Sequence, residues 1–299
     1  MMTSDDGRSA RLVTIVGIGV SAVLACANVF VGWWAHSSSV VATGLEFAGD
    51  VLASGIVLAG LRAAAKPADA NHPYGHGRFE TIAAFLVGAV LLAGGVVIAA
   101  QSLRAIGASH DPPGAIALAV LGATIVVRGV MAIVKVRAGR RMRSAALLAD
   151  GWNDSVDILS ALAALTAVAL ARANPDRFLA ADHYGGFLVG VVVVITGARV
   201  LRDASFELAD TMPDPALIDR VRAVASTVPG VLGTEKLFAR KTGFQYHVDL
   251  HIGVDPAMTV RASHDIASDV RATLTKELPW IADVLVHVEP FVPQDLLNR

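Results

Sequence analysis

Six long blocks of apolar residues lie before about residue 205, and the hydrophobic excess fades beyond it. A helix needs about 20 apolar residues to cross the roughly 30 Å of bilayer hydrocarbon. Inside that layer unpaired backbone groups are costly, so a chain spans it only as helices or as a closed barrel. The blocks therefore predict six transmembrane helices, at residues 12–35, 39–61, 81–100, 115–134, 145–170 and a core of 185–198.

Composition supports a membrane protein and excludes several other classes. Hydrophobic residues make up 54% of the chain and charged residues 17%, against about 25% in soluble domains. A net charge of −1 offers no basic surface, so no nucleic-acid partner is expected. The single cysteine, Cys26, excludes a disulfide framework and a multi-cysteine metal centre.

Basic residues are distributed unevenly between the predicted loops. They concentrate in the second and fourth loops and after the sixth block, whereas the first loop has none. Because cytoplasmic loops of membrane proteins carry the excess of Lys and Arg, both termini are predicted to be cytoplasmic. The residues that carry this argument are Arg62, Lys66, Arg78, Lys135, Arg137, Arg140, Arg141, Arg143, Arg199 and Arg202.

The sequence after Thr211 has the pattern of a folded domain outside the membrane. Residues 213–228 and 259–278 are predicted helices, each ending at a proline. Residues 244–254 alternate apolar and polar side chains as strands do, and 284–288 is another short strand. The predicted order is helix, strand, strand, helix, strand, in which one further strand lies between the first helix and residue 244. This order predicts a small α+β domain. The predicted domains are a transmembrane domain, 1–208, and a cytoplasmic domain, 209–299.

Two pairs of oxygen-bearing side chains interrupt the apolar blocks with helical spacing. Glu46 and Asp50 are four residues apart and therefore lie on one face of a helix, as do Asn153 and Asp157. At ~1.5 Å per residue, the first pair lies roughly 18–24 Å from the arginine that follows its block, and the second pair roughly 15–21 Å from the arginine before its block. The similar depths predict that four oxygen ligands meet near the middle of the membrane.

Ionised carboxylates at that depth need a counter-charge, because each costs about 2.5–3.5 kcal/mol or more in hydrocarbon. A divalent cation supplies one counter-charge and protons supply the other. Since metal ligands must be deprotonated, metal binding displaces protons, which predicts metal/proton exchange. The alternative is that a carboxylate merely hydrogen-bonds a neighbouring helix. Arg128 is interpreted as a snorkelling or pairing residue, Asp150 is an entry or capping candidate, and the role of Asp154 stays open.

The second loop combines histidine, aspartate and turn-forming residues. Asp69, His72 and His76 offer one oxygen and two imidazoles within eight residues, a donor set that suits zinc-like coordination completed by water. Prolines and glycines shape this segment into a turn. The spacing alone favours a metal site and a polar loop with helix-capping histidines equally.

Five motifs then occur in a fixed order, namely Glu46-x-x-x-Asp50, NHPYGHGRFE at 71–80, Asn153-x-x-x-Asp157, DLHIGVD at 249–255 and VHVEP at 286–290. Together they resemble the cation diffusion facilitator family of divalent metal/proton antiporters, and the resemblance covers essentially the whole chain. It implies a homodimer with six transmembrane helices and a cytoplasmic α+β domain of metallochaperone-like (ferredoxin-like) fold.

The resemblance also implies three metal sites, which bind divalent metal ions as substrate and as regulator. Protons are then the counter-substrate, and membrane lipids surround the protein in the cytoplasmic (inner) membrane of a bacterium. The implied ligands are Glu46, Asp50, Asn153 and Asp157 at the transport site, Asp69, His72 and His76 in the loop, and His251, His264, His287 and Glu289 at a cytoplasmic dimer interface.

This chain departs from the family's zinc pattern in three places. The pattern has Asp where Glu46 stands, His where Asn153 stands and His where Glu235 is aligned. The first two changes leave an all-oxygen transport site, which suits Mn²⁺ and, less clearly, Fe²⁺, whereas imidazole favours Zn²⁺. The expected substrates are therefore the Mn, Fe, Zn, Co or Cd class of ions. His247 lies on the same strand face as His251 and is a candidate to compensate for Glu235.

Two other classes of function compete with transport. A non-transporting membrane metal sensor or scaffold would dimerise through its cytoplasmic domain. Asn153 favours this class mildly, because it is a weaker ligand, whereas Glu46, Asp50 and Asp157 oppose it. An enzyme is not expected, because no histidine lies within a predicted span to act as a base, and neither a GxSxG elbow nor a Walker A lysine motif is present.

Overall fold

The structure, a computed structural model, describes residues 4–106, 111–142 and 145–291. Within the helices it leaves out the side chains of 4–12, 14, 142, 145–147, 149 and 150. Arg143 and the side chain of Asp150 therefore lie outside the described residues. The chain divides into two compact units, residues 1–57 with 86–201 and residues 58–85 with 202–299.

Six helices in the described part of the chain are long and apolar enough to cross a membrane, as predicted. Three of them run past the apolar blocks at both ends, and the other three run past at one end. The helices are α1 (Ser4–Trp34), α2 (Ser38–Ala64), α3 (Arg78–Ala105), α4 (Ala115–Met142), α5 (Ala145–Ala173) and α7 (Ala181–Leu208), with the short α6 (Pro175–Phe178) between the last two.

Several basic residues that were assigned to a fourth loop lie within α4 instead. This helix continues past residue 134 to Met142, so Lys135, Arg137 and Arg140 are helical. The prediction of a loop was wrong because a helix need not end where its hydrophobic block ends. Cations in the last turn interact favourably with the carbonyl end of the helix dipole. Lys135 differs from the two arginines, since it is buried.

Close packing of α3 against α7 depends on glycine in both helices. A Cβ atom on Gly88 would lie 2.5 Å from the backbone nitrogen of Leu201, and one on Gly197 would lie 2.4 Å from that of Leu92. Both distances are too short for a side chain. Small residues let membrane helices approach each other closely. The backbones of α3 and α7 are therefore in direct contact at these glycines.

The second unit contains a small α+β domain with the predicted order of elements. The sheet has the order β1-β2-β3, with β1 antiparallel and β3 parallel to β2. The predicted fold class, six membrane helices followed by an α+β domain, is therefore confirmed. The elements are α8 (Pro215–Ala225), β1 (Gly233–Thr242), β2 (Gln245–Val254), α9 (Val260–Glu277) and β3 (Ile281–Pro290).

One face of this sheet packs against α8 and α9 to form the core of the domain. Leu250 and Ile252 of β2 are fully buried there, together with Val221 of α8 and Leu274 of α9. Since successive side chains of a strand point to opposite faces, His251 lies on the other face of the sheet. The strand alternation thus separates an apolar core from a polar face.

Candidate metal sites

A small cavity among the membrane helices is lined by all four predicted transport ligands. Glu46 and Asp50 reach it from α2, and Asn153 and Asp157 reach it from α5. Glu46 and Asp157 are buried, and Glu46 Oε2 has no hydrogen-bond partner among the described residues. A buried oxygen without a donor is costly. The cavity therefore contains an acceptor that a cation would satisfy.

Two basic side chains supply positive charge beside this cavity. Arg128 of α4 is only 3% exposed and donates a 2.8 Å hydrogen bond to Asp154 Oδ1. Its guanidinium also lies 3.2 Å from Asp157 Oδ2 and 3.3 Å from Asp50 Oδ2. Lys135 Nζ lies 2.8 Å from Asp154 Oδ2. The interpretation of Arg128 as a pairing residue agrees with these contacts.

The source of positive charge beside the membrane carboxylates therefore differs in part from the prediction. Metal ions and protons were expected to supply it, whereas the protein itself supplies Arg128 and Lys135. The role of Lys135 was not predicted, and the role of Asp154 was left open. A signal was present, since the two cations are seven residues apart in α4 and so share a helix face. Intramembrane charges of this kind pair with one another.

The four predicted transport ligands share a cavity but do not form a closed coordination shell. In the described chain, the groups of three or more His, Cys, Asp or Glu side chains with ligand atoms within 4.8 Å of one another both lie in the second unit. In the membrane cavity, the Arg128 guanidinium contacts Asp50 and Asp157 instead. The cavity thus shows the ligands paired with a protein cation.

The second loop brings Asp69, His72 and His76 together, with one ligand atom of each inside that distance. The backbone N–H groups of His72 and Asn71 donate to Asp69 Oδ1 at 2.7 and 2.9 Å. These hydrogen bonds, the one from His72 above all, lower the pKa of Asp69. The carboxylate is therefore ionised at neutral pH and available to a cation.

His76 is oriented by the backbone of the same loop. Its Nδ1 lies 3.0 Å from the carbonyl oxygen of Pro67. Since a carbonyl oxygen only accepts, Nδ1 carries the proton and Nε2 carries the lone pair. Metal-binding histidines usually donate their second N–H group in this way. His76 thus presents Nε2, which lies 3.4 Å from Asp69 Oδ2.

Side chains from the loop and from α3 contact the C-terminal domain within the second unit. The Tyr74 ring meets the ring of His247 edge-on, with centroids 5.8 Å apart, and Arg240 lies over Tyr74. Arg78 pairs with Asp210 at 2.5 Å. Burial, and then the charge of Arg240, lower the pKa of His247. The imidazole is therefore neutral at neutral pH and packs as an aromatic ring.

A second histidine group lies on the face of the sheet that is opposite α8 and α9. His251 of β2 and His287 of β3 are partners in the strand register, and their ring centroids are 4.7 Å apart. His251 Nδ1 donates to Glu289 Oε1 at 2.5 Å, and this hydrogen bond lowers the pKa of Glu289. His251 Nε2, the His287 ring and the ionised carboxylate are available as ligands.

Two predicted ligands of the cytoplasmic site do not join this group within one chain. His247 packs against Tyr74 of the loop. His264 is exposed on α9. Single-chain contacts therefore place His251, His287 and Glu289 together, and leave His247 and His264 apart from them.

Six membrane helices with paired internal charges, joined to a domain with a histidine–carboxylate group, define an integral membrane protein that handles cations. The cation efflux transmembrane domain matches residues 14–209, and the cytoplasmic domain of cation efflux proteins, ZT_dimer, matches residues 213–291. The chain belongs to the cation efflux family, and the resemblance drawn from its motifs is confirmed. Members of this family are transporters rather than enzymes, and the second domain indicates homodimerisation.

Relatives from bacteria and plants are similar over most of the chain. The manganese efflux system protein MneP of Bacillus subtilis is 28% identical over 97% of this chain and 99% of its own length. Metal tolerance protein C1 of Arabidopsis thaliana is 29% identical over 95% of this chain, which spans 63% of that longer protein. Magnetosome protein MamB of Paramagnetospirillum magneticum is 27% identical over 87% of each chain. Metal efflux and metal tolerance are the functions named among these relatives.

Solved structures similar to this chain match its C-terminal part. A cadmium form of the MamM C-terminal domain is 33% identical and covers 26% of this chain and 98% of its own, with a TM-score of 0.26. A manganese form of the same domain is 34% identical over 25% of this chain and 96% of its own, with a TM-score of 0.25.

Proposed function

We propose that this protein exports a divalent transition-metal ion from the cytoplasm in exchange for protons. The observation that carries the proposal is the membrane cavity lined by Glu46, Asp50, Asn153 and Asp157. Carboxylates must lose their protons before they bind a metal ion. Metal entry from the cytoplasm therefore releases protons, and reprotonation from the other side of the membrane favours release of the ion.

The donor set of this cavity favours a hard ion as substrate. All four proposed ligands offer oxygen, and carboxylate and carbonyl oxygens suit Mn²⁺ better than the softer ions. Two of the similar proteins, MneP and MneS of Bacillus subtilis, are manganese efflux system proteins. We therefore place Mn²⁺ first and Fe²⁺ second, and Zn²⁺, Co²⁺ and Cd²⁺ belong in the same test.

The proposed setting is a homodimer in the cytoplasmic membrane of a bacterium, with both termini cytoplasmic and lipid around the helices. Basic residues support this orientation. If successive membrane helices alternate in direction, the ends of α2, α4 and α7 lie on the same side of the membrane, and the basic residues there mark that side as cytoplasmic. The supporting residues are Arg62, Arg137, Arg140, Arg141, Arg199 and Arg202.

We further propose that the loop group and the sheet group bind metal as a regulator rather than as cargo. Asp69, His72 and His76 form the first group. The second is built on His251, His287 and Glu289. His247 and His264 belong to the proposed cytoplasmic site only if a second copy of the domain supplies them.

The test is proton-coupled uptake by the purified full chain in sealed vesicles, with Mn²⁺, Fe²⁺, Zn²⁺, Co²⁺ and Cd²⁺ compared. Metal uptake that depends on an imposed pH gradient, alkalinises the lumen as protons leave in exchange, and disappears in Asp50→Ala is the expected result. Ion movement without proton movement removes the exchange mechanism. No movement of any ion, together with metal binding to the C-terminal domain, assigns the protein to the sensor or scaffold class.

A further inference from the structure

A permanently charged side chain stands among the proposed transport ligands. Arg128 lies at the middle of α4, and its guanidinium contacts Asp154, Asp157 and Asp50. Guanidinium does not deprotonate in proteins. Two of the four proposed ligands, Asp50 and Asp157, therefore already contact a cation whose own charge does not depend on pH.

The guanidinium and a metal ion compete for the same oxygen atoms. Arg128 approaches Asp50 and Asp157 through the Oδ2 atom of each, at 3.3 and 3.2 Å. A first-row metal ion binds carboxylate oxygens at about 2.0–2.2 Å. An ion on those oxygens would lie within a few ångströms of the guanidinium, where two positive charges repel strongly because little water screens them. Metal binding through the Oδ2 atoms therefore requires Arg128 to release both ligands.

Arg128 has partners that a metal ion does not claim. Its strongest contact is the 2.8 Å hydrogen bond to Asp154, which is outside the proposed ligand set. Asp154 is itself held from its other oxygen by Lys135, at 2.8 Å. The guanidinium carbon also lies 4.1 Å from the centroid of the Phe47 ring, in reach of a cation–π interaction. Released from its other partners, Arg128 remains anchored.

Space for this withdrawal is present beside Arg128. A second cavity is lined by Arg128, Lys135 and Asp154, and it also reaches Asp50 and Asn153. It is distinct from the cavity that Glu46 and Asp157 line. Arg128 thus borders a space that neither Glu46 nor Asp157 lines, into which its side chain can move while Asp154 keeps it.

We propose that Arg128 is the resident counter-cation of the transport site. It pairs with Asp50 and Asp157 when no ion is bound, yields them to an entering metal ion while Asp154 retains it, and returns to them as the ion leaves. This inference rests on the proposed function of the same cavity. Its consequence is a lower metal affinity and a faster release, since a transported ion must bind weakly enough to leave. Arg128 is a positioning residue in this scheme, because it contacts the ligands and not the ion.

The first experiment measures equilibrium binding of Mn²⁺ and Zn²⁺ to the purified full chain. Binding at the transport site is defined as the part of this binding that the Asp50→Asn substitution removes. Arg128→Gln removes the competing charge and is expected to tighten binding at this site roughly tenfold or more. The same variant is expected to transport more slowly in vesicles, because release becomes harder. Arg202→Gln is the matched control, since Arg202 is exposed and forms an ion pair with its sequence neighbour Asp203.

Arg128→Lys keeps the buried positive charge. It replaces Arg128→Gln in the binding measurement if that variant does not fold. A lysine ammonium lacks the planar fork that reaches several carboxylates at once. The expected result is a smaller tightening in the same direction. A merely structural arginine predicts the opposite pattern, with lower thermal stability and with metal affinity that is unchanged or weaker.

A double-mutant cycle distinguishes two effects of Asp154. One is the hydrogen bond that holds Arg128, and the other is the direct electrostatic effect of its own buried charge on the metal ion. Asp154→Asn frees Arg128 to stay on Asp50 and Asp157, so metal affinity is expected to fall severalfold. In the Arg128→Gln background the same substitution is expected to have little effect. An equal fall in both backgrounds means that Asp154 acts only through its charge, which overturns the retention step.

The outcomes distinguish this inference from the proposed function. If the wild-type chain binds and moves metal through Asp50 but neither Arg128 variant tightens binding, the counter-cation role is wrong and the transporter stands. If the wild-type chain shows no Asp50-dependent binding, the transport site itself is wrong.

Discussion

The membrane cavity and the two histidine groups of the second unit differ in how their charges are balanced. The cavity carboxylates are largely buried, and Arg128 and Lys135 pair with the charges there. In the loop, half of the Asp69 side chain is exposed, and backbone N–H groups and water stabilise its charge. The contrast shows that buried ligands require a counter-charge at every stage, whereas exposed ligands do not.

The two regions also differ in donor chemistry. The cavity offers only oxygen, while the loop group and the sheet group offer imidazole together with carboxylate. Oxygen sets suit harder ions, and mixed sets bind a wider range that includes Zn²⁺. The proposed sites are therefore expected to differ in ion preference, and substitutions matched between the regions test whether their roles differ as well.

The largest effect is expected from Asp50→Asn in the cavity. Loss of this partly buried carboxylate removes a proposed ligand and a partner of Arg128, so transport should fall by at least ~100-fold. Metal binding to the second unit should persist. The measurement is initial uptake in vesicles, with the exposed Asp203→Asn as control. Transport that survives in Asp50→Asn would place the ion path elsewhere.

The next effect tests donor chemistry at the same cavity. Asn153→His adds an imidazole to an all-oxygen set, and the ratio of Zn²⁺ to Mn²⁺ transport should rise by about tenfold. Asn153→Ala is the matched control, because it removes the amide oxygen without adding nitrogen. Competition between the two ions in one vesicle preparation measures the ratio. An equal shift in both variants would show that the ligand type at this position does not set the preference.

A smaller effect is expected from the sheet group. His251→Ala combined with His287→Ala should raise the metal concentration needed for half-maximal transport severalfold, while the maximal rate stays within about twofold. The proposed regulator acts on sensitivity and does not carry the ion. Complete loss of transport in a folded, membrane-inserted variant would contradict this separation of roles.

The smallest effect on transport is expected from Asp69→Asn, the loop counterpart of the cavity substitution. Metal binding at the loop should weaken by roughly tenfold, because the shared carboxylate of His72 and His76 loses its charge. Transport should change by less than about twofold. The comparison with Asp50→Asn uses the same chemical change at an exposed position and at a partly buried one. Equal losses of transport at both would remove the distinction between cargo and regulatory sites.

Much of the fold could be predicted because its signals are local in sequence. Apolar blocks marked all six membrane helices, and alternation along 244–254 marked β2. The ends of the helices were less predictable, as α4 shows, because charged residues such as Arg140 extend a helix beyond the hydrocarbon. The predicted order of the C-terminal elements agreed with the structure, since each is bounded by proline, glycine or a polar turn.

The candidate sites were predictable to different degrees for the same reason. Asp69, His72 and His76 are close in sequence, so one turn of chain brings them together. His247 and His251 share a strand face, yet only His251 joins a ligand group, because the strands and the loop beside each position differ. Whether a strand residue joins a ligand group therefore depends on the side chains that other parts of the chain place beside it.

The sequence by itself determined that the chain crosses the membrane in six helices and that Glu46 with Asp50, and Asn153 with Asp157, lie on helix faces at similar depth. Helical periodicity and the thickness of hydrocarbon are enough for both statements. Only the tertiary structure decided that Arg128 of α4 lies between carboxylates of α2 and α5, and that Lys135 holds Asp154. Pairing between buried charges depends on which helices pack together, and no spacing within one helix specifies that.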